Sequence, residues 1–133
     1  MQARLFRVVL PVFGIDAAAR FYGAVLGVPG KRVSPGRHYF ACGNVVLACV
    51  DASAEGEVKS LPPNPEHIYF AVDDLEAVHR ACVAAGGDLQ TPSVHGEPGG
   101  VIAKRPWGER SFYCIDPFGN PICFVDQRTT FTG

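Results

Sequence analysis

Short, apolar, β-prone runs recur along the chain at 7–12, 37–41, 45–50, 67–72, 111–115 and 121–125. Runs of this length, bounded by Gly, Pro, Asn and Asp, read as buried strands. Two stretches differ. Residues 15–20 and 75–80 open beside Asp16 and beside Asp73 and Asp74, acceptors expected near a helix N-terminus, so both predict helices. Gly27 and Gly87 follow those helices, where a left-handed residue is often needed. Cys42-Gly43-Asn44 and the segment Asp116 to Asn120 are turn chemistry, each joining two antiparallel strands.

The pattern repeats at an offset of 60 residues. Arg7–Val12 aligns with His67–Val72, Ile15–Arg20 with Leu75–Arg80, and Gly27 with Gly87. Both halves end on Val-Asp, at Val50-Asp51 and Val125-Asp126. An ordinary α+β sandwich would show such matches only by accident, and they run in order through strand, helix, glycine and turn. The expectation is an α+β fold of two βαβββ modules, mixed sheets curling around a cavity. Module one spans about 4–51, a linker 52–65 carries Pro62-Pro63-Asn64-Pro65, and module two spans about 66–126. Together they form one domain over 1–133. The loop 90–100 is expected to rim the cavity, and 127–133 to be a short tail.

Composition narrows the class. The chain has 133 residues, 47% hydrophobic and 19% charged, which suits one globular domain with a real core. Its formal net charge is −1 and no basic run occurs, which argues against a nucleic-acid partner. No signal core or membrane span is read, so a cytoplasmic location is expected. The five cysteines, Cys42, Cys49, Cys82, Cys114 and Cys123, are odd in number and lie mostly in apolar runs. Reduced core thiols fit them better than a disulfide framework.

Two motifs carry a family resemblance. One is the helix ending Phe21-Tyr22 to Leu26-Gly27. The other runs from Trp107-Gly108-Glu109-Arg110 through Asp116-Pro117-Phe118-Gly119-Asn120 to Val125. With the repeat, they make the chain similar to the vicinal-oxygen-chelate superfamily of glyoxalases, bleomycin-resistance proteins and extradiol dioxygenases, and most similar to the bleomycin-resistance group. The resemblance covers roughly residues 5 to 126. It implies the paired βαβββ fold, a small-molecule cavity and a homodimer, and it says little about chemistry, because this fold hosts many reactions.

Metal-dependent members place His or Glu on the first and last strands of each module. The corresponding positions here are Arg7, Ala48 (or Leu47 if the register slips by one), His67 and Cys123. Only His67 fits the pattern. Arg7 opposes it: at about 4 Å and an effective dielectric near 20, a guanidinium repels a dication by roughly 8 kcal/mol. His67 and Cys123 offer a weak two-ligand start for a soft ion. The expectation is no cofactor, with a divalent metal as the less favoured case.

The candidate ligand-binding residues are Arg7, His67, Tyr69, Trp107 and Cys123, with His67 and Cys123 also candidates for catalysis. Arg7 is either a strand-edge cation snorkelling to water or an anchor for an anion. His67 is either a hydrogen-bonded core residue or a general base. Tyr69 shares strand parity with His67, hence a face. Cys123 is either core or a reactive thiol, and Trp107 either a structural plug or an aromatic wall. His38, His79 and His95 read as surface or loop residues. Three functions compete: a metal-poor protein binding a small anionic or aromatic ligand, a metal-dependent lyase, isomerase or dioxygenase, and a metal-free enzyme using Arg7 and His67.

Overall fold

A computed structural model describes residues 1–57 and 59–133. The chain divides into two compact units, Met1–Pro63 and Asn64–Gly133, each a βαβββ module. Unit 1 contains β1 (Arg7–Pro11), α1 (Ile15–Leu26), β2 (Lys31–Ser34), β3 (Arg37–Cys42) and β4 (Val45–Val50). Its sheet runs β1-β4-β3-β2, with β1 parallel to β4 and the other pairs antiparallel. Unit 2 contains β5 (Ile68–Val72), α2 (Leu75–Ala84), β6 (Ala103–Lys104), β7 (Arg110–Ile115) and β8 (Pro121–Asp126). Its order, β5-β8-β7-β6, and its strand directions repeat those of unit 1. Among the described residues, no helix is long and apolar enough to cross a membrane.

In each unit one face of the sheet takes the helix. Ile15, Ala18, Phe21, Tyr22 and Val25 recur at helical spacing along α1 and are buried. They cover the face of unit 1 that carries Leu10, Phe40, Leu47 and Cys49, all nearly or fully buried. In unit 2, Leu75 and Cys82 of α2 meet the face carrying Phe70, Phe112, Cys114, Ile122 and Phe124. Each fully buried Leu, Ile or Phe contributes about 1.5–3 kcal/mol relative to exposure, so these layers hold the units together. Period-2 alternation then sends Arg7, Val9, Tyr39 and Ala48 to the other face in unit 1, and Tyr69, Tyr113 and Cys123 in unit 2.

Three local expectations are corrected. Asp16 does not cap α1; its carboxylate pairs with Arg32 at 2.6 Å, and the Gly14 N–H at the helix start donates to Asp51 Oδ2 from the end of β4. Asp74 does cap α2, accepting from the Ala77 N–H. Gly27 takes the left-handed conformation after α1 (φ 73°), but after α2 that role falls to Gly86 (φ 97°), not Gly87. Gly87 is needed for space: a Cβ there would lie 2.5 Å from Cys82 Sγ and 2.7 Å from Cys114 Sγ. His38 is buried rather than superficial. Its Nε2 donates to the Pro29 carbonyl at 2.9 Å and its Nδ1 accepts from Arg32 Nε at 3.3 Å.

The turn after β7 behaves as its sequence predicts. Asp116 Oδ1 accepts the N–H groups of Phe118 and Asn120, and Asn120 Nδ2 donates to Asp116 Oδ2. Asn120, fully buried, also accepts the Asn64 N–H on its Oδ1 at 2.9 Å. One side chain thereby fixes both the turn and the start of the unit.

Candidate functional site

The helix-free face of unit 2 gathers most of the candidate residues. His67 stands immediately before β5, Tyr69 lies within it, and Tyr69 is directly opposite Cys123 on β8. Cys123 is in turn opposite Tyr113 on β7. The rings of His67, Tyr69 and Tyr113 touch one another, with centroids 5.1 Å (His67–Tyr113), 6.2 Å (His67–Tyr69) and 6.5 Å (Tyr69–Tyr113) apart. Tyr113 meets both partners edge-on, the arrangement aromatic quadrupoles favour. Tyr69 is 57% exposed, so the cluster has an open side, whereas Tyr113 and Cys123 are buried at its base. Val94, from the loop 90–100, packs on Tyr113, Cys123 and Val125.

Burial sets the protonation of this face. It lowers the His67 pKa from its usual value, so the ring is neutral near pH 7. It raises Tyr69, and it pushes Tyr113 and Cys123 each up to about 12. The four side chains are therefore an imidazole, two phenols and a thiol, all uncharged. Cys123 as it stands is not the thiolate that nucleophilic attack or metal ligation requires.

Charge reaches the face from Arg105, which the sequence reading did not select. Its guanidinium is 2% exposed and lies 5.1 Å from the Tyr113 ring centroid. Its Nε donates to Ser111 Oγ, and its Nη2 to the carbonyls of Ser111 (2.9 Å) and Val101 (3.2 Å). Nη1 is buried without a hydrogen-bond partner. No carboxylate pairs with Arg105 among the described residues. Arg105 precedes Pro106 in a stretch that reads as a loop. Its burial comes from the loop that folds over it, through Tyr113 N–H to Gly99 O at 2.8 Å, and no local signal announces that.

Trp107 stands apart. It lies in the turn between β6 and β7, is 36% exposed, and meets His95 edge-on at 5.4 Å. Its indole N–H donates to Glu109 Oε1 at 2.7 Å, and Glu109 Oε2 accepts the Phe131 N–H. No ring contact joins it to His67, Tyr69 or Tyr113 among the described residues. His79 is half-buried on α2, donating to the Gly100 carbonyl and edge-on to Phe112, so it braces the same loop from below.

In unit 1 the matching face carries Arg7, exposed, with its guanidinium 5.0 Å from the Phe6 ring and 5.6 Å from the Tyr39 ring. Ala48 is on this face, directly opposite Val9 and Tyr39, while Leu47 points into the helix layer. Ala48 has no donor atom. Among the described residues, no three His, Cys, Asp or Glu side chains converge to hold a metal ion. Within unit 2, His67 is a neutral imidazole and Cys123 a protonated thiol, so this face offers a divalent metal two donors at most.

Comparison with known proteins places this geometry. The sequence profile of the Glyoxalase/Bleomycin resistance protein/Dioxygenase superfamily matches residues 4–124. CFP32 of Mycobacterium tuberculosis (strain CDC 1551 / Oshkosh), provisionally named a glyoxylase, is 37% identical over 79 residues, 56% of this chain. The match spans only 28% of that relative's length. Among solved structures, a glyoxalase-related enzyme from Fulvimarina pelagi superposes with a TM-score of 0.73 at 21% identity, covering 99% of this chain and 94% of its own. A glyoxalase/bleomycin resistance protein from Albidiferax ferrireducens T118 gives 0.71 at 22%, covering 92% and 98%. A lactoylglutathione lyase from Agrobacterium tumefaciens gives 0.64 at 22%, covering 98% of each. At these identities the structures speak for the fold. With the repeated βαβββ units and a profile match over most of its length, the chain belongs to the glyoxalase/bleomycin resistance protein/dioxygenase superfamily.

Proposed function

We propose that this chain is a small-molecule-binding member of its superfamily that holds an anionic, aromatic ligand on the helix-free face of unit 2, without a resident divalent metal. The observation that carries the reading is the ring cluster of His67, Tyr69 and Tyr113 laid over an uncharged thiol, with the unpaired cation of Arg105 beneath. Flat rings offer an edge or face to another ring. A buried positive charge in a low-dielectric layer attracts an anion through its field without touching it. On the corresponding face of unit 1, Arg7 is a separate, exposed cation suited to an anion. The same reading takes the chain as a homodimer, which light scattering tests directly.

The test is a calorimetric titration of metal-free protein with three probes: benzoate, benzylamine and cyclohexanecarboxylate. Benzoate is expected to bind most tightly, and Tyr69→Ala to weaken it by about tenfold, equivalent to roughly 1.4 kcal/mol. Equal binding of benzylamine, or binding of benzoate that needs added zinc, nickel, manganese or iron, would overturn the reading.

A further inference from the structure

Opposite the aromatic face, under α2, two thiols meet. Cys82 Sγ on the helix and Cys114 Sγ on β7 are 2.9 Å apart, closer than ordinary contact between sulfur atoms, and both residues are fully buried. They are free cysteines. A disulfide bond is about 2.0 Å long, so each sulfur has to move only about 0.4 Å to form one. Nothing stands between them, because Gly87, whose N–H bonds the Cys82 carbonyl, passes over the pair with no side chain.

The repeat makes this placement specific to unit 2. Cys82 corresponds to Tyr22 of α1 at the same offset of 60, and by strand register Cys114 corresponds to Phe40 of β3. Tyr22 and Phe40 also touch, with ring centroids 6.3 Å apart. Two rings thus fill in unit 1 the helix–sheet contact that two thiols fill in unit 2. Rings would serve packing better, since they bury far more apolar area.

We propose that Cys82 and Cys114 are a redox-reversible pair, which a hydroperoxide converts into a disulfide tying α2 to β7. The Cys82 thiolate attacks the outer peroxide oxygen, breaking the O–O bond and leaving Cys82 as a sulfenic acid with release of alcohol or water. The Cys114 sulfur then attacks the Cys82 sulfur, its proton leaving with the expelled hydroxyl as water. Two thiols and one hydroperoxide give one disulfide, one alcohol and one water. The hydrogen bond shared by the two thiols lowers the Cys82 pKa and raises that of Cys114, which makes Cys82 the attacking sulfur. Access comes at the end of α2, where Ala84 to Gly87 can open by fraying of the last turn. A dithiol reductant reverses the bond by exchange.

The test uses the full chain and hydrogen peroxide, followed by alkylation in denaturant, intact mass and a non-reducing peptide map. The expected result is three alkylatable thiols in place of five, with the peptides of Cys82 and Cys114 joined and five thiols regained after dithiothreitol. Oxidation should also raise the thermal midpoint, because the cross-link restricts the unfolded chain. In Cys114→Ser, peroxide should instead leave a dimedone-reactive sulfenic acid on Cys82. Five free thiols after treatment, linkage through Cys42, Cys49 or Cys123, or a lowered midpoint on oxidation would overturn the proposal. The wild-type readouts stand even if the variant does not fold.

Discussion

The guanidinium of Arg105 stacks 5.1 Å from the ring centroid of Tyr113, so a buried cation and a buried phenol share the base of one sheet face. This contact is also structural, since Arg105 satisfies the carbonyls of Val101 and Ser111. Arg105→Ala removes both donors; the buried Ser111 loses its partner, while Val101, 54% exposed, can turn to water. An orphaned buried acceptor costs about 1–3 kcal/mol, so a loss of that order is expected in urea unfolding. Arg105→Lys should recover part of it, because an ammonium keeps the charge but cannot reproduce the fork. A loss below the noise of the method would mean the loop 90–100 is held by other contacts.

Asn120 makes a second such test. Its amide satisfies Asn64 on one side and Asp116 on the other from a fully buried position. Asn120→Ala is expected to cost about 2–3 kcal/mol, and Asn120→Asp more, since it sets a second carboxylate against Asp116. Denaturant midpoints of the two variants should fall in that order.

Glycine substitutions separate conformational strain from crowding. Gly27→Ala meets open space and suffers only its left-handed φ of 73°, a cost of about 1–2 kcal/mol. Gly87→Ala drives a methyl group into the sulfurs of Cys82 and Cys114 and should cost about 1–3 kcal/mol as overpacking. Combining Gly87→Ala with Cys82→Ala, which removes the nearest sulfur, should cost less than the sum of the two single changes, whereas combining it with Gly27→Ala should simply add.

His67 predicts a pH dependence. Burial lowers its folded-state pKa below the unfolded value of 6.5. Between the two values the unfolded chain binds more protons, so stability falls as pH drops through about 6.5 and levels off below the folded pKa. Carboxylates titrate lower and add their own trend. The informative quantity is therefore the wild-type midpoint minus that of His67→Gln, measured from pH 5 to 8. It should decline on the acid side; a flat difference would mean His67 is as solvated folded as unfolded.

The repeat was legible because it rests on burial period, which sequence records directly. Leu10 and Phe70 fall at matching positions and both enter the helix layer. Strands β3, β4, β7 and β8 followed from the same alternation and from their turn residues. The exposed Lys31–Ser34 strand and the two-residue Ala103–Lys104 strand were not named, since neither has an apolar face to announce it. Parity sufficed to put Tyr69 with His67, but the choice of Ala48 over Leu47 for the outer face needed the observed register. It could not find Arg105 or bury His38, because those depend on partners distant in sequence or supplied by backbone carbonyls.

The matched registers make the two halves natural controls for each other. Arg7 and His67, Val9 and Tyr69, Ala48 and Cys123 occupy equivalent sockets, and Tyr39 and Tyr113 are the same residue in both. A side chain borrowed from one half arrives in the other at the same height and on the same face. Swaps such as Val9→Tyr or Ala48→Cys would therefore set the second half's ring and thiol on the first half's frame, without the Arg105 cation and the Val94 contact that accompany them in the second.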